Sequence, residues 1–178
     1  MTILLVYPLP SSPALKALKD LAIKVKSPDR ALRTIGASLL KVTRDRFESQ
    51  TDPDGKAWAP HSKLTREIRG TGQPILRKSG RLFRQLNYRV DANCLRLGPN
   101  APPYDAVHQF GATIRPKNAK MLAIPMPARR GVRKKAGFVF LKKSVIPPRP
   151  YIGFGPKDEA AVLRDIEAFL ALPEFKGK

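Results

Sequence analysis

The sequence predicts an α+β domain, a twisted and mainly antiparallel sheet of about five short strands with three amphipathic helices packed on it. Apolar residues recur at helical spacing near both ends of the chain, and short apolar runs of strand character occupy the middle. Eighteen prolines among 178 residues are about twice the roughly 5% of average usage, which favours short elements joined by extended connections over a helical bundle. A hydrophobic content of 42% over this length suffices for one ordinary domain.

The chain opens on Ile3-Leu4-Leu5-Val6-Tyr7, which lacks a basic leader and ends in Pro8, so it reads as a strand or sticky arm rather than a secretory signal. Ser12-Pro13 has the pattern of a helix start, and Leu15, Leu18, Leu21, Ala22 and Val25 continue it; residues 1–27 are thus an N-terminal arm and helix. Ser27-Pro28-Asp29 repeats the start signal, and Leu32, Ile35, Leu39, Val42 and Phe47 predict a long amphipathic helix over about residues 28–49. Asp52-Pro53-Asp54-Gly55 is turn chemistry, with proline presetting φ and glycine accepting φ > 0. Lys56–Gly72 reads as a polar loop that pins Trp58, with one possible helical turn at Thr65–Arg69. Ser79-Gly80 opens a short helix carrying Leu82, Phe83 and Leu86. Tyr88-Arg89-Val90 and Cys94-Leu95-Arg96-Leu97 alternate around Asp91-Ala92-Asn93, the signature of a β-hairpin. Asp105–Phe110 forms one helical turn before Gly111. Met121–Ile124, Phe138–Leu141 and Val145-Ile146 each suit a strand, and Ala128–Gly137 between the first two suits a basic hairpin tip. Asp158 and Glu159, favoured at a helix N-terminus, precede Ala161, Val162, Ile166, Phe169 and Leu170 in a last amphipathic helix. Residues 28–172 then form a single domain, followed by a tail at 173–178.

Charge is the second theme. The chain carries +20, and no acidic residue stands between Asp105 and Asp158, a stretch with twelve lysines and arginines. Such a segment repels itself and calls for a negative partner or solvent counterions. No apolar run approaches the roughly 20 residues that cross a bilayer, so no membrane role is expected. Cys94 is the single cysteine, which rules out an internal disulfide and fits a reducing cytosol; its alternating context predicts a small buried thiol rather than a nucleophile. His61 stands without neighbouring ligands, no metal-ligand spacing is present, and Gly153-Phe154-Gly155 lacks the surroundings of a phosphate loop. The chemistry-bearing residues are too scattered for a catalytic site, so neither an enzyme nor a cofactor is expected. Nucleic-acid binding remains open on charge alone, although no zinc-finger, ribonucleoprotein or GXXG pattern accompanies it, and Phe138, Phe140, Tyr151 and Phe154 alternate as core residues would.

Four motifs occur in one order: Arg46-Phe47 with Pro53-Asp54-Gly55 and Trp58; Ile75–Leu82, containing Gly80; Tyr104-Asp105-Ala106-Val107-His108-Gln109-Phe110-Gly111; and Pro148-Arg149-Pro150-Tyr151-Ile152-Gly153. Over roughly residues 28–172 this series resembles the phage virion morphogenesis family, the tail-completion proteins of Mu-like and related tailed phages. Residues 1–27 and the tip at 128–137 lie outside those motifs.

The resemblance implies a small α+β virion protein of the head–tail junction, made in the host cytoplasm, that closes a tail or readies it to join a filled head. It further implies a closed homo-oligomeric ring, a hexamer first and a dodecamer second, in contact with portal, stopper or tail tube proteins. Within the motifs, Pro53-Asp54-Gly55 is expected to return Trp58 to the long helix. Tyr104, His108 and Phe110 share a compact turn with His108 hydrogen-bonded, and Gly111 ends that turn with φ > 0. Pro148 and Pro150 should hold an extended lead into a last strand, leaving Arg149 to reach a carboxylate or a backbone carbonyl. Arg129, Arg130, Arg133, Lys134 and Lys135 are candidate contacts to an acidic portal or stopper ring, in preference to genomic DNA passing through a channel. The alternative is a stand-alone basic nucleic-acid-binding protein; a small basic toxin or nuclease is a third reading.

Overall fold

The structure, a computed structural model, describes residues 13, 28–99, 104–127 and 137–171. The predicted N-terminal arm and helix, the basic tip at 128–136 and the tail fall outside the described residues.

Helix α1 (Asp29–Ser49) is the axis of the domain. Its first half packs Ala31 and Ile35 on Val162, Ile166 and Phe169 of the C-terminal helix α5 (Pro156–Leu170). Its far end carries Phe47 into a second cluster with Trp58, Ile75, Leu82, Leu86, Tyr151 and Ile152. Between the two, Gly36 faces the hairpin of β1 (Leu86–Asp91) and β2 (Cys94–Pro99). A Cβ there would lie 2.7 Å from Tyr88 Cε2 and 2.8 Å from Leu95 Cδ1. Glycine costs about 1 kcal/mol inside a helix; here it permits the hairpin to seat against the helix backbone.

The chain reverses after α1 as the sequence predicts. Gln50 ends the helix in the left-handed region at φ 55°, and Gly55 takes φ 84° in the turn. Asp52 clamps that turn, its carboxylate accepting from Lys56 N at 2.8 Å and its carbonyl from Gly55 N at 3.0 Å. Trp58 N then donates to Gln50 O at 2.8 Å, which returns the indole to α1. The polar stretch beyond holds a fuller helix than one turn, α2 (Lys63–Arg69), because Ser62 Oγ caps it by accepting from Thr65 N at 3.2 Å. Helix α3 (Arg81–Arg84) follows Gly80, which stands at φ 68°.

In the β1–β2 hairpin Asp91 pairs with Cys94, and Ala92 and Asn93 both take positive φ, 46° and 61°. Two positive φ values are what a two-residue turn of type I′ requires. Helix α4 (Tyr104–Phe110) ends at Gly111, φ 76°, where a Cβ would lie 2.8 Å from Ile146 O. Strand β3 (Ala112–Ile114) pairs with β6 (Ser144–Ile146), and β4 (Leu122–Met126) with β5 (Gly137–Leu141), both antiparallel.

The α+β class and the antiparallel pairing agree with expectation, while the strands are distributed over three two-stranded ribbons rather than one sheet. Most are only three to five residues long, and Pro125 inside β4 together with Pro116, Pro147 and Pro148 removes donors that a wider sheet needs. Three further expectations are corrected. Cys94 is exposed at the hairpin turn, since it closes the two-residue loop at the tip of the ribbon. Phe138 and Phe140 are 63% and 58% exposed, because among the described residues the β4–β5 ribbon packs mainly on itself. Residues after Pro150 form bends rather than a last strand, and they run straight into α5.

Candidate functional site

Pro148–Gly155 crosses the centre of the domain without secondary structure, with Tyr151 fully buried and Ile152 nearly so. Buried backbone polar groups must be paired, and here side chains from distant elements pair them. Trp58 Nε1 donates to Pro150 O at 2.7 Å. The Gln109 amide serves both sides of the segment: Oε1 accepts from Tyr151 N and Ile152 N at 3.1 and 3.2 Å, and Nε2 donates to Ile152 O at 2.6 Å. Arg46 Nη1 donates to Tyr151 O and Gly153 O at 3.2 and 3.3 Å, and Nη2 donates to the Asp158 carboxylate. Asp158 in turn accepts from Gly155 N at 2.9 Å, fixing the first turn of α5. Burial pushes the Asp158 carboxyl above its usual range, against the opposing pull of Arg46 and the Gly155 amide.

The tight turn of the first motif completes this spine. Built Cβ atoms at Gly153 and Gly155 would lie 2.6 Å from Pro53 Cγ and 2.7 Å from Pro53 C, so both glycines admit the Pro53-Asp54-Gly55 turn against the central segment. Phe47 lies edge-on to Trp58 at 5.5 Å between centroids and tilted on Tyr151 at 5.4 Å. The four sequence motifs therefore converge on one buried junction.

Arg149 links that junction to the surface. Its backbone N donates to His108 O at 2.8 Å, Nε to Ala59 O at 2.8 Å and Nη2 to Pro60 O at 3.0 Å. The guanidinium thus reaches backbone carbonyls, one of the two expected partners. Among the described residues no carboxylate pairs with it, although it is only 7% exposed and burial lowers its pKa. Arginine nonetheless stays charged, which leaves a buried cation without a counter-ion among the described residues.

Beside Arg149 an open groove of about 860 Å³ runs between α2, the 76–82 segment, the start of α4 and β6 with Pro147. Arg69, Lys78, Arg81 and Arg149 line it with His61 and His108, and among the described residues no carboxylate does. Desolvation lowers the His61 pKa, helped by Arg69, and lowers that of His108, helped by Arg149. Among the described residues His108 Nδ1 is buried without a hydrogen-bond partner, while the backbone carbonyl of His108 accepts from Arg149 N. Leu76 borders the groove at φ 59°, a left-handed conformation that costs a non-glycine residue roughly 1–2 kcal/mol.

The predicted positions divide accordingly. Pro53, Gly55, Trp58, Gly111 and Pro150 belong to the junction or its turns, Asp54 is exposed at the tip of its turn, and Gly80 and Leu82 position the groove edge. Tyr104 and Phe110 are 57% and 61% exposed at the two ends of α4, and Tyr104 lines the groove. Arg129, Arg130, Arg133, Lys134 and Lys135 lie outside the described residues. Sequence reasoning gave no role to Arg46 or Gln109, and to Asp158 only a place at the start of the last helix. Arg46 was detectable as a charge on the apolar stripe of a helix, at heptad spacing from Leu39, and Asp158 as the acid three residues after Gly155 at a helix start. Among the described residues no group of three His, Cys, Asp or Glu converges, and no helix is long and apolar enough to cross a membrane.

The fold and the groove define a small α+β domain that presents concentrated positive charge beside a rigid polar junction. The chain belongs to the phage virion morphogenesis family, whose sequence profile matches residues 11–171. That span starts earlier than the four motifs and takes in the 128–137 segment. No curated protein and no solved structure matches the chain.

Proposed function

We propose that the protein is a structural component of the phage head–tail junction, a tail-completion or neck protein whose copies close into a ring needed to join head and tail. Family membership supplies the virion morphogenesis role. The observation that carries the ring is the β4–β5 ribbon: it packs mainly on itself, exposes Phe138 and Phe140 side by side with centroids 6.4 Å apart, and pairs no further strand among the described residues. A free edge with exposed aromatics is a natural joint for strand addition from a neighbouring copy. One such heterologous contact repeated with a closing rotation makes a ring. Six copies match a tail tube and twelve a portal, six being the first choice.

The role needs no bond-making chemistry and no cofactor. Arg129, Arg130, Arg133, Lys134 and Lys135 fall between β4 and β5 in the sequence, and we assign them to an acidic portal or stopper surface. Tight phosphate binding would hinder DNA passage, since about six to ten contacts make release strongly salt-dependent. The alternative, a stand-alone nucleic-acid-binding protein, draws its support from the +20 charge. Serine at all five positions should leave DNA retention in gel shifts unchanged; loss of retention favours the DNA-facing reading. The role itself is tested by disrupting the gene in the producing phage and imaging the lysate. Filled heads and separate tails are expected, and a normal yield of joined particles would refute it.

A further inference from the structure

The groove beside Arg149 is a cationic surface among the described residues, and its composition identifies its occupant more closely. Its volume of about 860 Å³ lies within the roughly 300–1,000 Å³ of pockets that enclose a ligand. Among the described residues four cations and two imidazoles line it, and no carboxylate does. Among the described residues Arg149 is buried there without a counter-ion, and a buried charge is costly unless it is paired. His108 Nδ1 adds a polar atom without a partner among the described residues, and the left-handed Leu76 is a strained residue of the sort that gathers at binding sites.

The walls also hold apolar surface from Ile68, Leu76, Leu82, Val145 and Ile146. A duplex offers its neighbours regularly spaced, hydrated phosphates and would leave that apolar surface unused. A second copy fits no better, because every copy brings +20 and would need to place anions where this chain has few. We infer that the groove is the docking site for a segment of a different, acidic virion protein, one that carries carboxylates next to an apolar side chain. The carboxylates meet Arg69, Lys78 and Arg81 at the rim and Arg149 inside, while the apolar side chain lies against Val145 and Ile146. This inference rests on the head–tail reading and names how the ring is held to its neighbour.

The test uses assembled particles. A photo-crosslinking phenylalanine derivative at Val145, a 63% exposed position on the groove wall, is irradiated in purified virions and the linked peptide is sequenced by mass spectrometry. The expected product joins Val145 to an acid-rich, apolar-bearing segment of another virion protein. Combining the label with Arg69→Ser, Lys78→Ser and Arg81→Ser should reduce that product roughly tenfold, since three partly screened ion pairs sum to about that factor. Trp58 emission checks that the triple variant keeps its fold. Crosslinks to DNA or to a second copy, a product undiminished in the triple variant, or no product in particles that contain the protein would each overturn the groove assignment while leaving the ring intact. Absence of the protein from the particles would overturn the head–tail reading and the groove assignment with it.

Discussion

Replacing Arg46 by methionine isolates the interaction on which the central junction depends. The guanidinium is 5% exposed and supplies donors to Tyr151 O, Gly153 O and the Asp158 carboxylate. Methionine keeps the apolar stem and removes all of them. Asp158, 1% exposed, is then left with the Gly155 amide against its charge. Breaking a buried pair by removing one partner costs about 3–5 kcal/mol, chiefly through the stranded charge. The two carbonyls that lose a donor add to this unless water enters. Against a typical stability of about 5–15 kcal/mol, the variant should lose a third or more, a fall in melting temperature on the order of 10 °C for this chain length. Trp58 is the single tryptophan, and it sits in the same cluster, so its emission in a urea titration reports the transition. Wild type and variant are compared at equal protein concentration, because assembly shifts apparent stability. The double variant Arg46→Met with Asp158→Asn should recover part of the loss, giving clear non-additivity. A loss below about 1 kcal/mol for Arg46→Met, or strict additivity in the cycle, would refute the assignment of the junction to this pair.

Gln109→Leu strips three hydrogen bonds from the Tyr151–Ile152 backbone and should destabilise by about 2–4 kcal/mol, read in the same titration; a neutral effect would mean that the segment finds other partners. Gly155→Ala places a Cβ against the Pro53 backbone, 2.7 Å from its carbonyl carbon, and should cost about 1–3 kcal/mol by overpacking, visible as a lower melting temperature. The folded-state pKa of His108 lies below its ordinary value, so in that window the unfolded chain binds the proton first. Its contribution is present above about pH 6.5 and is lost as pH falls through the folded-state value. His108→Asn should therefore flatten the fall of melting temperature between about pH 7 and pH 5; an unchanged slope would remove His108 from the acid response.

The parts of the fold set by local chemistry were legible in the sequence. The start signal at Ser27-Pro28-Asp29, the apolar period to Phe47, the Pro53-Asp54-Gly55 turn and the hairpin around Ala92-Asn93 all appear where their residues indicate. The return of Trp58 to α1 followed from the turn. What escaped depends on tertiary context. Phe138 and Phe140 alternate as core residues do, yet periodicity cannot say whether a second layer covers the strand, and here none does among the described residues. Cys94 has the same pattern and stands exposed. Arg46, Gln109 and Asp158 are up to 112 residues apart, so their meeting around the central segment is beyond any local rule, although each sits within or beside a motif. The groove was hidden for the same reason: its cations come from three separated parts of the chain.

The ring is tested most directly by native mass spectrometry of the purified protein, paired with negative-stain images at about 1 M salt, where screening cuts the range of charge interactions to roughly 3 Å. The account predicts a closed ring of six copies that survives the salt, with twelve preserving closure under a different symmetry. A protein that stays monomeric at every concentration, or that forms open filaments, contradicts it.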